Sequence, residues 1–274
     1  MNFSVLISIY HKERPEYFHR AMQSIWDEQM HKPDEIVLVL DGPLNEILDH
    51  AIDMWKTKLN EVLTIVPLEK NVGLGEALNI GLAHCRYDVV ARMDTDDIAM
   101  PHRFALQRQM FESEEIDICG SWISEFDTDE AVTVSIRKVP AHHNEIARFA
   151  KYRNPLNHPS VMYRKSVVEL AGNYRDMAGF EDYYLWVRIL MHGGRFVNIQ
   201  EPLVHMRAGY GQLERRSGRE YARHEYAFLR TLRTSGFLSG YEWVRNVMLR
   251  IPARVVPNRL LKTIYKRLRD MSKH

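Results

Sequence analysis

With 274 residues, 45 % of them hydrophobic and 27 % charged, the chain is long enough to bury a full-sized core and has the composition of a soluble globular protein. Its two cysteines, Cys85 and Cys119, lack any metal-type spacing and argue against a disulfide framework, which suits a reducing compartment. The net charge is only +1, yet the last 34 residues hold nine Lys or Arg against two acids, so an anionic partner, nucleic acid or an anionic membrane face, is expected there.

The N-terminus, MNFSVLISIYHKERPEYF, has no basic leader or small-residue cleavage site, and no apolar run approaches the roughly 20 residues of a membrane helix. A cytoplasmic protein is expected. FSVLISIY reads as a central strand covered on both faces, and the Phe18, Met22, Ile25, Trp26 spacing as a helix. EIVLVL is a second buried strand, ended by the Asp41-Gly42-Pro43 turn signal. Residues 44–60 form an amphipathic helix, LTIVPL a third strand, NVGLGEALNIGLAHC a helix opened by glycine, and DVVARMD a fourth strand. This alternation implies a parallel sheet with helices on both faces.

Beyond residue 100 the pattern loosens. A helix over 101–115 precedes the strand DICGSWISEF, and the polar stretch DTDEAVTVSIRKVPAHHNEI reads as a loop or hairpin. VMYRKSVVELAGNY and YYLWVRILMHGG read as helices, and FVNIQEPLVHMRAG as late short strands. A charged helix follows Gly209 to about Thr234, and the basic end is helical but broken at Pro252 and Pro257.

In open α/β sheets ligands bind beyond the carboxyl ends of the strands. This chain places Ser8, Tyr10 and His11 after the first strand and Asp41 after the second. Lys70 and Asn71 follow the third, and Asp94, Asp96 and Asp97 the fourth. An aromatic for a base, a carboxylate for a base N–H, a cation for phosphate and an acidic cradle together describe a nucleotide-diphosphate site with Mn²⁺ or Mg²⁺. Taken alone, the acidic triplet is equally an acidic turn capping the next helix. VGLGEAL lacks the third glycine of a dinucleotide fingerprint, and no P-loop motif is present.

ISIYHKERPEYFHRAMQSI, IVLVLDG, NVGLGEALNIGL and ARMDTDD resemble the nucleotide-binding half of family 2 inverting glycosyltransferases. NPLNHPSVMYRKSVVELAGNY and GFEDYYLWVRIL resemble their acceptor half, so the likeness spans residues 3–207 and is nearest to bacterial O-antigen, capsule and exopolysaccharide enzymes. The resemblance implies an α/β GT-A fold: a Rossmann-like, mostly parallel central sheet flanked by helices, with a C-terminal helical extension. Residues 1–208 would be the catalytic domain (1–100 the nucleotide half, 101–208 the acceptor half) and 209–274 the basic extension.

By the same resemblance, Ser8, Tyr10 and Asp41 hold the uridine of a UDP-sugar, and Lys70 lies near base and phosphates. Asp94 meets ribose or metal, Asp96 is the main metal ligand and His205 a further one. Asp182 is the catalytic base. Glu181, Trp186, His158, Arg207, Arg215 and Arg216 are candidates for acceptor or diphosphate contacts; each is equally open to a cap, core, turn or solvated-loop reading. The acceptor is expected to be a saccharide, carried on a polyprenyl diphosphate if the basic C-terminus docks on the inner face of the plasma membrane. Two other functions stay open: a sugar-nucleotide nucleotidyltransferase, although HKERPEYF has no glycine for its phosphate loop, and a non-catalytic nucleotide-sugar-binding module. Nucleic-acid binding is not expected, because the basic region carries no reader motif.

Overall fold

The computed structural model describes residues 1–207 and 217–255. They form two compact units, residues 1–176 with 181–207, and residues 177–180 with 217–255. In the first unit β1 (Ser4–Ile9), α1 (Pro15–Trp26), β2 (Glu35–Leu40), α2 (Glu46–Leu59), β3 (Leu63–Pro67), α3 (Leu74–His84) and β4 (Val89–Met93) alternate as the sequence predicts. There follow β5 (Ile98–Ala99), α4 (Arg103–Ser113), β6 (Ile118–Phe126), β7 (Ser135–Arg137) and α5 (His143–Phe149), then β8 (Met162–Arg164), α6 (Lys165–Leu170), α7 (Glu181–Met191) and β9 (Phe196–Arg207). The sheet order is β3-β2-β1-β4-β8-β6-β9-β5, with β7 paired to β6. Strands β3, β2, β1 and β4 are parallel neighbours, as are β6 and β9, while β8, β5 and β7 run antiparallel to their partners.

Side chains of a strand point alternately to its two faces, which explains why the central strands are apolar throughout. Val5, Ile7 and Ile9 of β1 pack with Phe18, Met22 and Ile25 of α1 and Leu48, Ile52 and Trp55 of α2. Leu6 points the other way, into a core with Leu78 and Leu82 of α3 and Leu185, Trp186 and Ile189 of α7. Gly81 lets α3 seat directly on the sheet: a Cβ there would lie 2.5 Å from both Leu6 Cδ1 and Val39 Cγ2. Both cysteines are buried and free, and burial pushes each thiol up to about 12.

Three segments differ from the sequence expectation. Met162–Arg164 is a strand, not the start of a helix, because Met162 and Tyr163 are buried between β4 and β6 and fill the gap in the sheet. FVNIQEPLVHMR is a single 12-residue strand, not several short ones. It passes Pro202 through two register shifts, Ser121 pairing with Ile199, Trp122 with Pro202 and Ile123 with Val204, so the extra residues bulge out. His143–Phe149 is a helix that begins inside the stretch expected to be loop or hairpin and runs past its end.

The second unit contains α8 (Arg219–Thr234) and α9 (Gly240–Val255). Glu225 of α8 is fully buried and receives Arg250 Nε and Arg254 Nε of α9, each at 2.6 Å, so the charge is enclosed only together with its partners. Phe180 stacks on Phe228 at 4.7 Å. Pro252 does not break α9; the residue whose carbonyl loses its helical donor is Met248, on the exposed side. Pro257, Arg215 and Arg216 lie outside the described residues, as does most of the basic end.

Candidate active site

Parallel register delivers the expected nucleotide residues to one edge. Ile9 pairs with Leu40, and the Asp41 amide donates to the Ile9 carbonyl at 2.8 Å, so Tyr10 and Asp41 leave the sheet side by side. Asp41 is buried, and its carboxylate is already ordered by the loop after β3. Oδ1 accepts the Val72 amide at 2.7 Å; Oδ2 accepts Asn71 Nδ2 at 2.9 Å and the Gly73 amide at 3.2 Å. Gly42 makes this closure sterically possible, because at φ +88° a Cβ would sit 2.6 Å from the Asn71 nitrogen. Tyr10 is exposed and open to stacking, Ser8 is half-buried, and Lys70 is exposed beside Asn71. Ile7 pairs with Met93, so the next residues on β1 and β4 are Ser8 and Asp94.

The acidic triplet forms a cluster. One ligand-grade oxygen from each of Asp94, Asp96 and Asp97 lies within 4.8 Å of the others. Behind it stands Arg92, buried in β4, whose guanidinium grips both oxygens of Asp94. Burial, then Asp94 and Glu13, push the Asp96 carboxyl up to about 6, and burial with Asp94 and Asp96 pushes Asp97 well above the carboxylate range. Asp97 is nearly inaccessible; its Oδ1 accepts the Arg207 amide at 2.9 Å, and its Oδ2 is buried with no donor among the described residues. Crowded carboxylates with an orphaned buried oxygen are what a divalent cation would relieve, so the residues fit Mn²⁺ or Mg²⁺. Glu13 closes the near side, accepting the Thr95 hydroxyl.

Arg207 leans on the same turn. Its Nε donates to the Asp96 carbonyl at 3.3 Å, and its guanidinium lies 3.8 Å from the Tyr17 ring centre and 4.5 Å from that of Phe126. His205 is placed differently from expectation. Its Nδ1 pairs with Ser124 Oγ at 2.7 Å and its Nε2 with the Glu130 carbonyl at 2.9 Å, so neither nitrogen is left for a metal.

Asp182 lies in the first turn of α7 with its carboxylate half-buried. Oδ1 accepts the Tyr183 amide and Oδ2 accepts Asn154 Nδ2, both at 2.7 Å. Glu181 precedes it, its Cγ 3.8 Å from where a Cβ of Gly75 would be, so the starts of α7 and α3 adjoin. Trp186 is fully buried against Tyr163 and His158 and so presents no face to an acceptor; it supports the site from within the core. His158 is half-buried, 2.9 Å from the Tyr174 hydroxyl, and burial together with Arg92 pushes its pKa well below the usual imidazole value, so it is neutral.

Tyr174 is fixed between α3 and α7. Its backbone is clamped to Asn79 of α3 by two bonds of 2.8 and 2.9 Å, and Arg188 of α7 holds the preceding turn through the Asn173 carbonyl at 2.6 Å. Burial raises the phenol's pKa, against the opposing charge of Arg92.

The family model described as Glycosyl transferase family 2 matches residues 4–170. The chain belongs to that family. Among curated relatives of this glycosyltransferase, "Amylovoran biosynthesis glycosyltransferase AmsE" of Erwinia amylovora is 40 % identical over 97 % of this chain and 98 % of its own length. "UDP-Gal:alpha-D-GlcNAc-diphosphoundecaprenol beta-1,3-galactosyltransferase" of Escherichia coli is 36 % identical over 97 % and 96 %. Among solved structures, the mannosyltransferase PcManGT of Pyrobaculum calidifontis, in complex with GDP-Man and Mn²⁺, superposes with a TM-score of 0.67 at 15 % identity, covering 93 % of this chain and 72 % of that one. S. aureus TarS 1-349 with UDP-GlcNAc gives 0.64 at 18 % identity, covering 84 % and 66 %. The glycosyltransferase therefore has the expected GT-A fold, with helices at its C-terminal end.

Several residues that build this glycosyltransferase's site escape sequence reasoning. Arg92 had a signal, a lone cation inside the apolar run VVARM two residues before Asp94. Glu13, Asn154 and Tyr174 had none, since only the fold brings them to the carboxylates they touch or face.

Proposed function

We propose that this family 2 glycosyltransferase moves a hexose from a UDP-linked donor to a lipid-diphosphate-linked saccharide with inversion at the anomeric carbon, in the assembly of a bacterial surface polysaccharide. The observation that carries the reading is the clustering of Asp94, Asp96 and Asp97 at the carboxyl end of β4, beside the strand ends that bear Ser8, Tyr10 and Asp41. In this reading Asp182, ordered by Asn154, takes the proton of the attacking acceptor hydroxyl. Asp94, Asp96 and Asp97 are the residues that would hold Mn²⁺ or Mg²⁺, which supplies positive charge to the departing diphosphate. Arg207, beside the same turn, adds a protein cation there. Tyr10 stacks on the uracil, and Asp41, with Oδ1 accepting only one protein bond, takes a base N–H; Ser8 and Lys70 flank them. A single base opposite the leaving group favours transfer over hydrolysis by a flanking pair of carboxyl groups.

The lipid-linked acceptor rests on the relative from E. coli, whose name specifies a GlcNAc-diphosphoundecaprenol. No helix among the described residues is long and apolar enough to cross a membrane. Contact with an anionic membrane surface is instead assigned to the C-terminal end. Tyr241, Val244, Met248 and Val255 are exposed along α9, and basic sequence follows. UDP- and dTDP-sugars incubated with lipid-diphosphate saccharides and Mn²⁺ or Mg²⁺ test the proposal. Acceptor-dependent, EDTA-sensitive release of UDP is the expected result. Release of pyrophosphate would indicate a nucleotidyltransferase instead, and binding without release a non-catalytic module.

A further inference from the structure

The segment Asn154–Val161 ties the two sides of the site together. At one end Asn154 Oδ1 accepts the Leu156 amide at 3.4 Å, which turns Nδ2 toward Asp182 Oδ2, 2.7 Å away. In the middle the buried Asn157 donates to the Ser121 carbonyl at 2.8 Å, and Ser160 Oγ accepts the Ser121 amide at 3.1 Å and donates to the Asn157 carbonyl at 2.9 Å. At the far end the Val161 carbonyl accepts the Arg92 amide at 2.9 Å, and the Arg92 guanidinium holds Asp94. The base and the acidic turn are thus fastened to opposite ends of eight residues.

We propose that Asn154 is a positioning residue for Asp182, and that the Asn154–Val161 segment fixes the separation between that carboxylate and the acidic turn. The inference rests on the reading of Asp182 as the base. A neutral amide donor on Oδ2 fixes the orientation of the carboxylate and so sets which lone pair faces the acceptor hydroxyl. Glu181 precedes Asp182 on the same helix, Asp182 Oδ1 takes the Tyr183 amide, and Asn154 supplies the donor at Oδ2.

The test compares Asn154→Ala and the near-isosteric Asn154→Asp with wild type, reading kcat, KM for the donor, and UDP binding with Mn²⁺. The expected result is a kcat loss of about 10- to 100-fold, with donor KM and UDP binding within about twofold. If Asn154→Ala does not fold, Asn154→Asp keeps the side-chain volume and carries the test. Wild-type kcat in a folded Asn154 variant alongside an inactive Asp182→Asn would overturn the inference while leaving the base in place. Wild-type turnover in Asp182→Asn would overturn both.

Discussion

The Arg207 amide donates to Asp97 Oδ1 at 2.9 Å, joining the end of β9 to the acidic turn after β4. The side chain repeats the link, its Nε on the Asp96 carbonyl and its guanidinium between the Tyr17 and Phe126 rings. Arg207→Lys keeps the charge but loses the planar stacking. Donor KM is expected to rise about tenfold, the equivalent of about 1.4 kcal/mol, with the fold intact; steady-state kinetics against a Tm control checks it.

The crowded triplet makes stability depend on pH and on metal. Asp96 and Asp97 have folded pKa values raised above the unfolded ones, Asp96 to about 6. A raised carboxyl binds more protons in the folded state, so the Asp96 contribution to stability falls as pH rises from about 4 through 6, and the more strongly raised Asp97 extends the fall to higher pH. Metal-free protein should therefore gain Tm from this cluster between pH 7 and pH 5. Mn²⁺ should raise Tm by several degrees at pH 7.5 and by much less at pH 5, where protons compete for the same oxygens. Asp96→Asn should raise the metal-free Tm at pH 7.5 and blunt the Mn²⁺ response. Calorimetry at the two pH values reads all of this, and an equal Mn²⁺ shift in the variant would remove Asp96 from the cradle.

Gly42→Ala tests the nucleotide side. The new methyl would lie 2.6 Å from the Asn71 nitrogen on a backbone at φ +88°, so the loop that orders Asp41 has to shift. A stability loss of about 1–3 kcal/mol is expected, with UDP affinity falling further than stability alone explains. Denaturant titration and calorimetric UDP binding separate the two effects; unchanged UDP affinity would contradict a role for this corner in nucleotide binding.

The C-terminal end is tested by liposome co-sedimentation. Met248→Glu with Leu249→Glu places two charges on exposed positions of α9. Binding to anionic vesicles should drop by about tenfold or more while binding to neutral vesicles stays low. Equal sedimentation of variant and wild type would discard membrane contact through this helix.

How far the sequence reached follows from what each element must do locally. The β1 to β4 half was legible because strands buried on both faces are written as unbroken apolar runs, and parallel connection forces helices between them. The positions of Tyr10, Asp41 and Asp94 were legible for the same reason, since each directly follows a strand. The later half was harder. Met162–Arg164 is too short to show a period, and it is a strand only because β4 and β6 leave room for it. The continuity of β9 past Pro202 depends on a bulge against Trp122, which no local pattern announces. His205 looked like a metal ligand until its two hydrogen bonds were visible, and Asn154 lies 28 residues from the Asp182 carboxylate it orders.

Inversion gives a stereochemical check. A β-linked product from an α-linked UDP-hexose, read from the anomeric coupling in the proton NMR spectrum of the purified saccharide, is the expected outcome; retained configuration would require a nucleophile the proposed site does not provide.

The most direct test is turnover of Asp182→Asn measured beside its affinity for UDP and Mn²⁺. The substitution preserves shape and removes only the proton acceptor, so transfer should fall by at least about 10³-fold while UDP–Mn²⁺ affinity stays within about twofold of wild type. Transfer at the wild-type rate, or a loss of UDP–Mn²⁺ binding equal to the loss of rate, would contradict a base that stands across the sugar from the acidic turn.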